Sequence, residues 1–295
     1  MRELTPSTTT RPARTIPRLT MTGMTIPRRR AQGPDVRGLP RRPAQEKNGG
    51  GFDKPFASAT IWKAFKRRAP FRGSSMFFDL HNHTRHSPDS RVAPADLVMM
   101  AQRAGLAGVA ITDHNSMGGV RDAQEAARGS FLVIPAIEVS TRSGHVLGYG
   151  LRDVVPRGLS VRETVERIVA AGGVPVAAHP YRFWSGLGDE GLAETSFPAH
   201  ETRNGRTLRR GNERARERAR ALRVGETGGS DSHFLDEVAK AVTAIDAGDL
   251  PLDDVLQQLG QGKTTAEGTD RGAGATARYV TKAVSEWIGR GMRRI

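Results

Sequence analysis

The chain has 295 residues and no cysteine, which suits one domain with tails and excludes disulfides, thiolate metal sites and a cysteine nucleophile. No run of about 18 apolar residues occurs, so no membrane-spanning helix is expected, and a reducing cytoplasm is the expected compartment. The formal charge of +14 is unevenly placed: residues 1–75 hold about 17 Lys/Arg against about 4 Asp/Glu, while the remainder is near neutral, so the excess is not a nucleic-acid signal of the body.

Residues 1–75 are rich in Arg, Pro, Thr and Gly and carry no lasting apolar period. Such a segment buries too little surface to offset its chain entropy and is expected to be disordered. Three readings compete for it: a basic arm that touches nucleic acid, an acid-poor targeting segment, or an upstream extension with Met76 as the true start. From Met76 onward strands and helices alternate. A short apolar strand covers 76–80. A helix over 94–104 has proline in its first turn and Gly105 as its stop. Strands follow at 108–112, 131–139 and 146–151. Then come a helix over 160–171, a strand over 174–178, an Arg/Ala helix over 208–222 and a strand over 224–227. Residues 76–265 read as one catalytic domain. Residues 266–295 read as a linker and an amphipathic helix, whose stripe of Tyr279, Val280, Ala283, Val284, Trp287 and Ile288 would pack on that domain or lie on a membrane surface. The alternation argues for a parallel sheet or a β/α barrel, in which the strand ends converge on one face.

The polar residues fall at those ends. His81-x-His83 follows the first strand, and residues two apart in an extended segment point to the same side. Alone that pattern is common by chance. Six of the eight histidines, however, lie at strand ends or glycine-rich turns beside carboxylates: His81, His83, His114, His145, His179 and His233, with Asp89, Asp113, Glu138 and Asp231. Burying so many imidazoles and carboxylates without a cation would leave large desolvation costs. His86 and His200 fall outside this arrangement and read as a bystander and a structural residue. Ser87 and Ser232 do not sit in a nucleophile elbow.

The run from Asp79 to Asp89, DLHNHTRHSPD, resembles the opening motif of the PHP family, the polymerase and histidinol phosphatase domain. ITDHN at 111–115, IEVS at 137–140, GHVLG at 144–148, AHP at 178–180, ETRNGR at 201–206 and GGSDSH at 228–233 resemble its later motifs, in order. The resemblance implies a distorted (β/α)7 TIM-like barrel holding two or three divalent cations. It implies one site of His81, His83, Glu138 and Asp231, a second of Glu138, His145 and His179 with Glu138 bridging, and a third of Asp89, His114 and His233. Asp89 replaces the histidine of some members. Mixed nitrogen and oxygen donors suit zinc, manganese or iron.

The activity so implied is hydrolysis of a phosphoester by hydroxide held on the cations, with a small phosphomonoester, a nucleotide or a short oligonucleotide as substrate. Asp113 is expected to support His114. Arg203 and Arg206, with Arg209 and Arg210 beyond them, could grip phosphate or could be solvated charges on a helix. The alternatives are a 5′–3′ exonuclease on short RNA or DNA and a non-catalytic PHP binding module; the full donor set argues against the latter. Tyr181, Phe183 and Trp184 offer a nuclease its stacking surfaces, or form a lid or core packing. An amidohydrolase barrel also uses His-x-His, but no lysine lies between Lys66 and Lys240 to bridge its metals.

Overall fold

The computed structural model describes residues 75–246 and 251–270. The basic extension over 1–74 and the amphipathic helix expected within 273–295 lie outside the described residues. Seven strands succeed one another around a barrel in chain order. They are β1 (Ser75–Asp79), β2 (Gly108–Ile111), β3 (Leu132–Ser140), β4 (His145–Tyr149), β5 (Val174–Ala177), β6 (Ala199–Asn204) and β7 (Gly225–Gly229). The helices are α1 (Pro94–Arg103), α2 (Gly118–Ala127), α3 (Val161–Ala170), α4 (Gly188–Ala193), α5 (Arg209–Leu222) and α6 (Leu252–Gly260). Two further strands, β8 (Ala241–Asp246) and β9 (Thr265–Gly268), continue the sheet antiparallel beyond β1.

Period-two alternation sorts the strand residues between two faces. Phe78, Ala110, Ile134, Leu147 and Val176 meet inside, and α6 closes that interior with Val255, Leu256 and Leu259. Phe77, Val109, Ile111 and Val133 face outward into a second cluster beneath α1 and α2. Ile137, Val139 and Val146 face α3 through Val165 and Ile168. That helix starts in a capping box: the Glu163 amide donates to the Ser160 hydroxyl at 3.2 Å, and the Ser160 amide donates to the Glu163 carboxylate at 2.9 Å.

The expected β/α repeat breaks at one place. No helix joins β3 to β4; the two form an antiparallel hairpin with Ser140 opposite His145, and β4 is again antiparallel to β5. Four residues separate the strands, too few for a parallel crossover. His145 therefore begins a strand instead of following one, and the reversal brings it to the face where β3 ends.

The barrel closes where β7 meets the first strand. The Asp231 amide donates to the His81 carbonyl at 2.7 Å, the His83 amide to the Ser232 carbonyl at 2.9 Å, and the Gly228 amide to the Thr243 hydroxyl at 2.9 Å. Glycine makes this seam possible. A Cβ on Gly228 would stand 2.3 Å from the Val242 carbonyl oxygen, and one on Gly229 would stand 2.3 Å from the His81 Cβ.

Candidate metal centre

Glu138, near the end of β3, is buried at the middle of a ring of imidazoles. Its Oε1 lies 2.7 Å from His145 Nδ1 and 2.9 Å from His179 Nε2. Its Oε2 lies 3.2 Å from His81 Nε2, His83 Nε2 and His114 Nδ1. Asp231 extends the group, with Oδ1 3.3 Å from His83 Nε2 and 3.9 Å from His81 Nε2. Asp89 stands on the opposite side, with Oδ2 2.7 Å from His233 Nε2 and 3.6 Å from His114 Nε2. All nine residues that the sequence offers as metal ligands thus meet at one end of the barrel, drawn from positions spread over 81–233. Asn115, His179 and Asp231 have positive φ at this rim, and Asn115 and Asp231 flank the turns that aim His114 and His233 inward.

Hydrogen bonds on the far side of each ring fix which nitrogen faces inward. His81 Nδ1 lies 3.0 Å from Glu201 Oε1, a pure acceptor, so Nδ1 carries the proton and Nε2 presents a lone pair. Ser87 donates to Asp89 Oδ1 at 2.9 Å and is left to accept from His83 Nδ1 at 3.3 Å, so His83 Nε2 also presents a lone pair. Those two Nε2 atoms are 3.1 Å apart and share Glu138 Oε2 as neighbour. His114 Nδ1 is buried and close to the same carboxylate oxygen but makes no hydrogen bond. Lone pairs crowded against carboxylate oxygens repel unless a cation lies among them. The donor set fits divalent cations bound by mixed nitrogen and oxygen ligands.

In the bare residues, protons take the place of a cation on two of the rings. Burial opposes protonation of His81, but Glu201, Asp231 and Glu138 outweigh it and hold its pKa well above the usual value. His83 is likewise carried to about 9 against burial, by Asp231 and Glu138. Burial raises Glu138, Asp231 and Asp89, yet interactions with their neighbours hold all three well below the carboxylate range: His114 and His145 for Glu138, Arg182 and His81 for Asp231, His233 for Asp89. The cluster therefore concentrates negative potential at a point where positive charge is drawn in.

Other candidates take different places. Asp113 points away from the ring centre, accepting the Thr84 amide at 2.6 Å and the Thr84 hydroxyl at 2.7 Å. It pins the loop that carries His83. Arg206 is buried, and after burial itself its positive charge is the next cause that lowers the His233 pKa. Arg203 is paired with Asp270 near the end of β9. Arg209 pairs with Glu213 on the exposed face of α5, and Arg210 is exposed. His86 lies 3.1 Å from Asp122, outside the ring. Ser232 donates to Asn82 Oδ1 at 2.6 Å and faces no open site.

Three contributors escape a reading of the sequence. Glu201 stands within a quoted motif without a role, yet it orients His81, and its Oε2 accepts the His179 amide at 2.8 Å and the Asn204 side-chain amide at 3.1 Å. Asn204 also donates to Asp231 Oδ2 at 3.1 Å. Arg182 donates to the same oxygen at 2.5 Å from a loop 49 positions away. Neither Glu201 nor Arg182 carries a local signal of its role.

The PHP domain model matches residues 79–165, and the PHP-associated model matches residues 209–264. Over 114 residues the chain is 37% identical to an uncharacterized protein of Methanocaldococcus jannaschii, a match covering 35% of this chain and 67% of that protein. Among solved structures it is similar to a two-domain Bacteroides vulgatus protein containing a predicted PHP-like metal-dependent phosphoesterase (20% identity, TM-score 0.56, 66% of this chain and 65% of that one). It is also similar to PsfC of Pseudomonas syringae (19% identity, TM-score 0.54, 72% and 98% covered). A third is endonuclease Q in complex with a 27-mer duplex substrate bearing an abasic lesion (13% identity, TM-score 0.51, 67% and 60% covered). These three share the fold, and the chain spans 65% and 60% of the length of the first and third. No helix among the described residues is long and apolar enough to cross a membrane.

Proposed function

Because the chain belongs to the PHP domain family, we propose that it is a metal-dependent phosphoesterase acting on a small phosphomonoester, a nucleotide or a short oligonucleotide. The observation that carries this reading is Glu138, whose two oxygens face five imidazoles, two on one side and three on the other. A carboxylate so placed is suited to bridge two cations. His81, His83, Glu138 and Asp231 would hold one, Glu138, His145 and His179 a second, and Asp89, His114 and His233 a third. Zinc, manganese and iron all suit these donors. When bound, such cations lower the pKa of water and neutralise phosphoryl oxygens.

The chain's own residues supply the rest. Glu201 and Ser87 fix the inward-facing nitrogens of His81 and His83. Asp113 holds the His83 loop through Thr84. Arg182, on Asp231, and Arg206, whose charge acts on His233, are the guanidinium groups suited to take a phosphate. The barrel wall shields the ring from bulk solvent, since His81, His83, Glu138, His179 and Asp231 are all buried. A non-catalytic module has no need of nine convergent donors, which favours the enzymatic reading over that alternative.

The test is to purify the full chain, measure bound metal, and assay a chromogenic phosphate ester beside a 5′-phosphorylated oligonucleotide. The same assays are run on His81→Ala and Asp231→Ala. Two or more cations per chain and activity lost in both variants are expected. Metal-free protein that stays inert after addition of Mn²⁺, Zn²⁺ or Fe²⁺ would overturn the proposal.

A further inference from the structure

The loop that leaves β5 carries two large aromatic residues in water: Phe183 is 85% exposed and Trp184 is 79% exposed. Their rings meet edge to face, with centroids 4.6 Å apart and an interplanar angle of 79°, so each keeps an open face. An exposed aromatic pair is costly to hydrate, and on a slack loop it would fold back onto the protein. This loop is not slack. On one side Arg182 reaches into the metal centre and donates to Asp231 Oδ2 at 2.5 Å. On the other, Tyr181 donates to Asp189 Oδ1 at 2.6 Å, Arg214 donates to Asp189 Oδ2 at 2.6 Å, and the Arg214 guanidinium lies 4.3 Å from the Tyr181 ring centroid.

The backbone is tied as well. The Gly188 amide donates to the Pro180 carbonyl at 2.9 Å, and the Gly186 amide to the Arg182 carbonyl at 3.0 Å. A Cβ on Gly186 would stand 2.5 Å from the Pro180 carbonyl oxygen, so the turn is as tight as a backbone allows. The aromatic pair is thus presented rigidly, starting four residues after His179 and one residue after Arg182. The pair therefore stands on the same loop as Arg182, whose guanidinium reaches Asp231 in the metal centre.

We propose that Phe183 and Trp184 form a stacking platform for a nucleobase, so that the substrate is a nucleoside phosphate or the terminal nucleotide of a short strand, with its phosphate at the metal centre. This rests on the phosphoesterase reading above and narrows its substrate class. Stacking fits the observations because every base has a flat π-face and can stack without a hydrogen-bonding partner. The near-neutral charge of residues 76–295 favours a single nucleotide or a short end over a long duplex, which would need a basic groove.

Two measurements test it on the full chain. In the first, the fluorescence difference between the parent and Trp184→Phe isolates Trp184 from the other two tryptophans. Adenosine 5′-monophosphate and uridine 5′-monophosphate are expected to quench that difference signal, and ribose 5-phosphate is not. In the second, kcat/KM is compared for the nucleoside monophosphates and for ribose 5-phosphate. The ratio is expected to favour the base-bearing esters and to fall by about 5- to 150-fold in a Phe183→Ala/Trp184→Ala variant, the range one base–aromatic stack supplies. Hydrolysis of all three esters with a ratio that the double variant leaves unmoved overturns the platform and leaves the phosphoesterase intact. Absence of any hydrolysis overturns the phosphoesterase; the quenching then decides the platform alone. Quenching by ribose 5-phosphate equal to that by the nucleotides, or none by any, overturns it, and points to a protein partner for the aromatic pair.

Discussion

His81 offers Nε2 to a cation because Glu201 accepts the hydrogen bond from its other nitrogen and keeps the proton there. Removing the negative charge while keeping the shape, in Glu201→Gln, should weaken metal binding by about 10- to 100-fold, the usual effect of losing a partner that orients a ligating histidine. Competition with a metallochromic chelator reads this directly, and an affinity equal to the parent's would show that Glu201 does not set the tautomer. His200 gives a prediction of a different kind. It is buried on β6, its Nδ1 has no hydrogen-bond partner, and burial followed by the charge of Arg218 lowers its pKa to about 4. Glu226, opposite it on β7, is held by Arg216, Arg220 and Thr202. The folded pKa is depressed, so as pH falls below 6.5 the unfolded chain takes up the proton first and stability drops until about pH 4. By pH 5 the loss is about 2 kcal/mol. Urea midpoints at pH 7.5 and pH 5 should therefore differ less in His200→Leu than in the parent; identical slopes would exclude the assignment. The sequence exposed the ligand types because histidine and carboxylate at strand ends is a rare coincidence. Glu201 and Arg182 stayed hidden because their roles depend on partners 120 and 49 positions away that no local pattern specifies.

Strands and helices are legible where an apolar face comes with a clear start or stop signal; α2, whose buried face is Val120, Ala123 and Ala127, lacks both and is not among the expected elements. The expected helices over 94–104, 160–171 and 208–222 match α1, α3 and α5 within a residue or two, because proline, a Ser160 cap and an Arg/Ala period mark them. The direction of β4 was not expected, although the four-residue link before it was visible and forbids a parallel crossover. The strands after His233 and helix α6 were also unassigned, since β8 and β9 mix alanine and threonine and carry no polar residue of the ring. Two substitutions test the elements themselves. Ser160→Ala removes one arm of the capping box on α3 and should cost about 1 kcal/mol in chemical denaturation, with metal content unchanged. Gly228→Ala is far more severe. Its new methyl meets the Val242 carbonyl at 2.3 Å, and a backbone atom within the sheet cannot rotate away as a side chain could. The seam between β7 and β8 must open, at a cost of about 3 kcal/mol or more, and Asp231 and His233 follow β7. Metal content should drop along with stability in this variant and in no other of the pair.

At the scale of the whole barrel, the metal centre is also the point where the ends of the fold are held together. The ring joins residues that follow β1, β2, β3, β5 and β7, and it includes the seam at which β7 meets the first strand. Without cations, the buried carboxylates of Glu138 and Asp231 are balanced only by protons on His81 and His83, which bound cations would replace with direct bonds from both rings and both carboxylates. A ligand that binds only the folded chain stabilises it by about 2.7 kcal/mol at 100 times its Kd. For a domain of this size that corresponds to roughly 5–11 °C in Tm. Treatment with a chelator should lower Tm by an amount of that order, and added Mn²⁺ or Zn²⁺ should restore it. His81→Ala and Asp231→Ala should already sit near the chelated value and respond little to either treatment. A Tm that is the same with and without chelator, in protein shown to have carried metal before treatment, would mean that the ring is rigid by packing alone. The glycines of β7 and the hydrogen bonds from Glu201 and Thr84 would then be what hold the ligands in place. If Tm moves with metal in the parent and not in the variants, the cations close the barrel as well as serve its chemistry.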